Sequence, residues 1–131
     1  MFVDKITYVS KEEIEGHYTF KKDEYFYLGH FKDNPITPGV ILTEVMAQIG
    51  LVCLGIYLFN GELKKPQIAL TSNQIDFFLS VKPEEQVRVV SKKIYFRFNK
   101  LKCKVQMFNN NDELVSRGTI SGMLKPINIE K

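Results

Sequence analysis

The stretch Pro38-Gly-Val-Ile-Leu-Thr-Glu-Val-Met-Ala-Gln-Ile-Gly-Leu-Val-Cys-Leu-Gly-Ile-Tyr-Leu-Phe59 decides how the rest of the chain is read. Thr37 stands before it as a capping residue, and Pro38 suits the first helical position because its missing N–H would lack an acceptor there anyway. A helix from about Pro38 to Phe59 follows. Val40, Ile41, Leu42, Val45, Met46, Ala47, Ile49, Leu51, Val52, Cys53, Leu54, Ile56, Tyr57, Leu58 and Phe59 leave it almost no polar face, so either protein or lipid must cover it all round. Lipid is the poorer cover. Glu44, Gln48 and two glycines interrupt the run, and its uncharged part is only about 17 residues long. The helix is expected to lie inside a soluble domain and to make no membrane span.

The material to wrap it comes later in the chain. Gln67 to Val81, Gln86 to Phe98, Leu101 to Phe108 and Glu113 to Leu124 are rich in Val, Ile, Phe, Tyr and Thr, with turns at Lys82-Pro-Glu-Glu, Asn99-Lys and Asn109-Asn-Asn-Asp. In the third segment Leu101, Cys103, Val105 and Met107 share one face while Lys100, Lys102, Lys104 and Gln106 share the other, the pattern of a sheet wet on one side. One helix followed by an antiparallel meander predicts the α+β class. Before the helix, Gly16 to Lys22 alternates as a strand with Tyr18 and Phe20 opposite in parity to His17, which is therefore expected on the solvent side.

Length and composition bound the function classes. The 131 residues fit a single domain, 1–131, with 44% hydrophobic and 25% charged residues. A formal charge of +3 with basic residues interleaved among acids and apolars gives no nucleic-acid signature, although it suits an acidic protein partner. Cys53 and Cys103 lie in apolar runs without the spacing of a metal site or redox pair, and read as buried reduced thiols. No signal-peptide pattern opens the chain, so a cytoplasmic location is expected.

Chemistry concentrates just before and within the helix. His30 titrates near neutrality, and Glu44 falls in a segment that is otherwise nearly all apolar, where burial would raise its pKa. Taken as residues alone, the pair reads either as an acid–base couple or as a loop histidine and a structurally satisfied buried acid.

The run Gly29-His30-Phe31, Pro35, Pro38-Gly39-Val40, Glu44, Ala47-Gln48 resembles, without a gap, the motif G-H-F-P-x-x-P-x-x-P-G-V-x-x-x-E-x-x-A-Q of the (3R)-hydroxyacyl-acyl-carrier-protein dehydratases. Lys32-Asp33-Asn34 departs from the residues usual after that histidine. The resemblance implies the hotdog fold, a curved antiparallel sheet wrapped round a long central helix, and a cofactor-free, metal-free lyase. It implies His30 as the base for the α-proton, Glu44 as the acid that protonates or orients the leaving hydroxyl, and the Gly39 amide as donor to the thioester oxygen. That amide lies in the first turn, where unpaired N–H groups and the helix dipole favour an anion. Gln48, one turn after Glu44, is placed to hold it. Phe31, Pro38 and Val40 are expected along the acyl channel.

The implied partner is an acidic acyl carrier protein, for which Arg88, Lys92, Lys93, Arg97, Lys100, Lys102 and Lys104 are docking candidates. A homodimer is implied too, since in such enzymes the histidine of one subunit faces the carboxylate of the other; a higher oligomer or a heterodimer with another hotdog subunit fits the same pattern. Two further readings share the fold: an acyl thioesterase, and a non-catalytic acyl-binding subunit.

Overall fold

A computed structural model describes residues 2–27, 36–58 and 67–125. Its strands β1 (Lys5–Val9), β2 (Glu13–Thr19), β3 (Gln67–Phe77), β4 (Gln86–Arg97), β5 (Lys100–Phe108) and β6 (Leu114–Lys125) form one sheet. All its pairings are antiparallel, in the order β1-β2-β4-β5-β6-β3. The central helix, Gly39–Leu58, packs through its middle turns against β2, β4, β5 and β6. A sheet that meets one helix from four strands wraps it, and the chain has the hotdog fold.

Three strands of the expected meander, β4, β5 and β6, are consecutive neighbours, whereas β3 is not beside β4. It crosses to the far edge and pairs with β6, from Gln67 opposite Lys125 to Phe77 opposite Ser116. It also ends at Phe77 rather than Val81, because the next two amides, of Phe78 and Leu79, both donate to the carbonyl of Val115. The first strand has no counterpart in the sequence reading. Lys5–Val9 is exposed along almost its whole length; the alternation of Ile6 and Tyr8 with Lys5 and Thr7 is too short to stand out by itself, and the strand is held by its pairing to β2.

Alternation is faithful where one face is covered. Ile14 and Tyr18 of β2, Val87 and Val89 of β4, and Leu101, Cys103, Val105 and Met107 of β5 are buried against Leu42, Val45, Met46, Ile49, Leu51 and Leu54 of the helix. His17 keeps the solvent-side parity expected of it, beside Glu15. The helix passes the length and hydropathy test for a membrane span, yet half of its apolar window is buried inside this protein, which identifies it as the core helix.

The helix is α-helical over Gly39–Ala47, widens to a π-helical turn over Gln48–Cys53, and is α-helical again over Leu54–Leu58. Within the widened turn the Leu54 amide donates to Leu51 rather than Gly50. The Gly50 carbonyl accepts from two buried side chains, Ser91 Oγ at 3.2 Å and Cys103 Sγ at 3.6 Å. A Cβ at position 50 would stand 3.0 Å from Ser91, so glycine lets the helix approach the sheet closely enough for these bonds. Burial pushes the Cys103 thiol up to about 11, with Ser91 and Lys93 opposing the shift, and burial also raises Cys53, which is half-buried rather than fully buried. Ser91→Ala should cost about 1–2 kcal/mol in denaturant melts, because it removes one donor to a buried carbonyl and leaves a small void. An unchanged midpoint would show that Cys103 alone satisfies Gly50.

Candidate active site

The start of the helix is built differently from the expected cap. Pro38 is itself the residue before the first turn (φ −60°, ψ 145°), its carbonyl accepts from Ile41 and Leu42, and no side chain among the described residues caps the end. Thr37 is occupied elsewhere. Its amide donates to the Val81 carbonyl at 2.8 Å, and its buried hydroxyl shares a 2.6 Å hydrogen bond with the Tyr27 hydroxyl. Burial raises the Tyr27 pKa, and the Thr37 bond works against that rise. The expectation of a Thr37 cap is thus corrected: the threonine ties the helix start to the turn Tyr25–Tyr27 and to the segment after β3.

Gly39 becomes the first helical residue, so its N–H has no acceptor within the helix and points along the positive end of the dipole. A Cβ here would come within 3.3 Å of the Phe77 ring, which places the end of β3 beside the helix start. Thr43 closes the first turn, its hydroxyl donating to the Gly39 carbonyl at 3.1 Å.

Val40, Glu44 and Gln48 repeat at four-residue spacing and form one stripe on the side of the helix that the sheet leaves open. Val40 is 74% exposed, and the carboxylate of Glu44 is exposed as well. The expectation of a buried acid at position 44 is corrected for the single protomer, because an apolar sequence context does not say which side of a helix the sheet covers. Gln48 holds Glu44 as expected: its Nε2 donates to Glu44 Oε2 at 2.9 Å. The other end of the amide is fixed too, since Gln48 Oε1 accepts from the backbone N–H of Phe2. The chain Phe2 N–H, Gln48, Glu44 orients the carboxylate, and nothing in the sequence marks Phe2 for this part.

His30 and Phe31, with Gly29 and the divergent Lys32-Asp33-Asn34, lie outside the described residues. Pro38, half-buried, and Val40, exposed, stand at the helix start. Among the described residues no group of three or more His, Cys, Asp or Glu side chains is arranged to hold a metal ion.

The seven docking candidates divide. Arg88 is engaged with Glu15 (3.4 Å) and Asp112 (3.3 Å) and lies over the Phe108 ring. Lys93 stands opposite buried Cys103, on the inward parity of β4, and reaches Glu12 at 3.6 Å. Lys92, Arg97, Lys100, Lys102 and Lys104 share the outer face, across the sheet from the helix.

The FabA-like domain family matches residues 1–118. The chain belongs to that family. Among curated proteins, the 3-hydroxyacyl-acyl-carrier-protein dehydratase FabZ of Acinetobacter baylyi is 39% identical over 66 residues, 50% of this chain and 43% of that protein. FabZ of Clostridium botulinum strain Okra is 38% identical over 92 residues, 68% of this chain and 61% of that protein. The chain spans less than two thirds of the length of the curated relatives it matches. A hypothetical thioesterase of Streptococcus pneumoniae TIGR4, solved with coenzyme A, superposes with TM-score 0.68 and 11% identity over 93% of this chain and 85% of that one. AziG of S. sahachiroi superposes with TM-score 0.69 and 12% identity over 94% and 91%. At such identities the likeness to these solved structures is one of fold.

Proposed function

We propose that this FabA-like chain is a cytoplasmic, homodimeric dehydratase that converts (3R)-3-hydroxyacyl thioesters of an acidic acyl carrier protein to trans-2-enoyl thioesters in fatty acid or polyene synthesis. The observation that carries the reading is the Val40–Glu44–Gln48 stripe: the helix turns the motif's acid outward from its own core and holds it there through Gln48. In the proposed reaction His30 takes the α-proton, and the released electron pair forms the Cα–Cβ double bond. The Cβ–O bond breaks, and the oxygen leaves as water with a proton from Glu44. The Gly39 amide meets the charge that develops on the thioester oxygen.

A second protomer supplies what one chain lacks. Among the described residues β3 is a sheet edge carrying exposed Leu70 and Phe77, followed by exposed Phe78 and Leu79, with Phe77 next to the helix start. Pairing through this edge would cover it, as long exposed edges require, and would withdraw Glu44 from water opposite His30 of the partner subunit. The thioesterase reading draws on the same exposed acid, which in a hydrolase would activate water.

The test follows both products. Incubated with a 3-hydroxyacyl carrier protein, the protein should generate enoyl-thioester absorbance without releasing free thiol. Thiol release without enoyl product would transfer the assignment to thioester hydrolysis. Turnover only after addition of another hotdog subunit would assign this chain the role of a non-catalytic partner.

A further inference from the structure

The hairpin β4–β5 has a composition unlike the rest of the chain. From Gln86 to Asn111 there are seven Lys or Arg residues and no Asp or Glu, while the whole chain carries only +3, so the remainder is net acidic. The charges are also placed where they work against the fold. Lys92 is directly opposite Lys104, and Arg97 directly opposite Lys100, and like charges facing across strands repel.

The tip adds a second unfavourable feature. Phe98 and Asn99 form the two-residue turn with φ of 52° and 63°, both left-handed. Asn accepts this conformation readily, but a bulky aromatic does not, and Gly or Asn would serve a turn of this kind better. Phe98 is nonetheless 91% exposed, and Ile94, the extra residue where the β4–β5 register shifts, is 51% exposed. The turn sets an exposed aromatic in a disfavoured conformation between Arg97, whose guanidinium lies over the Tyr95 ring, and Lys100, with Lys102 further along β5.

We infer that the outer face of β4–β5 is a docking surface for an anionic lipid bilayer, with Phe98 entering the headgroup region and the surrounding cations meeting the lipid phosphates. Both parts suit an interface that is negative at its surface and apolar just beneath, whereas an acidic protein surface would call on the cations alone. The face lies across the sheet from Glu44, so a seated protein keeps its helix side open to solution.

Sedimentation with vesicles tests this without reference to catalysis. The wild type should co-sediment with phosphatidylcholine vesicles containing about 30% phosphatidylglycerol at about 0.1 M salt, and not with pure phosphatidylcholine. Phe98→Asn should lower partitioning by about tenfold, and Lys100→Glu with Lys102→Glu should abolish it. Because Asn relieves the left-handed strain, Phe98→Asn should melt no lower than wild type, so lost binding would not reflect unfolding. Failure of the wild type to bind anionic vesicles, or equal binding by Phe98→Asn, would overturn the inference. So would a Phe98→Asn protein that binds vesicles normally but has lost affinity for an acidic carrier protein.

Discussion

Glu44→Gln should reduce dehydration by about a hundredfold to ten-thousandfold, the usual contribution of a positioned general acid, and the loss should fall on kcat with KM little changed. The substitution removes a proton donor and leaves the supports in place. A glutamine at 44 still offers a carbonyl oxygen to Gln48 Nε2, and Gln48 still accepts from Phe2, so the geometry of the stripe survives. Since glutamine keeps the bond to Gln48 and adds no charge to the site, the melting temperature should be almost unchanged. Enoyl absorbance from a 3-hydroxyacyl carrier protein gives the rate, and His30→Ala measured alongside should lose a comparable factor. Retention of wild-type rate in both variants would remove the dehydratase assignment, whatever the family relationship.

Gly118→Ala should produce the largest loss of stability. A Cβ at 118 would stand 1.9 Å from the Gln74 carbonyl oxygen and 2.8 Å from the Ile75 Cα, both backbone atoms of the neighbouring strand. Backbone cannot rotate aside as a side chain can, so β3 must separate from β6 along the stretch where Ile75 faces Gly118. The cost should be about 3 kcal/mol or more, a fall of about 10 °C in melting temperature. Under the proposed assembly the damage extends further, because β3 is the free edge that a second protomer would meet. Size-exclusion chromatography should therefore show a weakened dimer together with the lowered melt. A Gly118→Ala protein that melts like wild type would mean that β3 has room to move away from β6. By contrast, Gly39→Ala meets only the exposed Phe77 ring, which can swing aside, so its effect on folding should be small.

How far these features were legible in the sequence depends on what kind of information each one needs. The alternation of β5 was readable because Leu101, Cys103, Val105 and Met107 are covered and the intervening lysines are not, so burial had already sorted the residues. Strand β1 was harder to read for the converse reason: its five residues alternate only over Lys5 to Tyr8, a run too short to distinguish a strand, and they are ordered largely by backbone pairing to β2. The Thr37 cap was a sound local inference defeated by a nonlocal competitor, the Tyr27 hydroxyl, which offers a buried partner the isolated helix would not have. The Gly50 carbonyl tells a similar story, since a glycine in an apolar run reads as a weak point in a span but serves here to seat the helix on Ser91 and Cys103.

The sequence by itself determined the class, the central helix, the sided strands and the motif from Gly29 to Gln48, because periodicity and spacing are properties of order along the chain. Only the tertiary structure decided that β3 crosses to the far edge, that Phe2 steadies Gln48, and that Glu44 faces away from its own core. Each of these depends on which surfaces meet after the chain has folded back on itself. Composition near position 44 reported an apolar neighbourhood along the chain. Where that neighbourhood ends in space is set by the sheet, and the sheet leaves this side of the helix open.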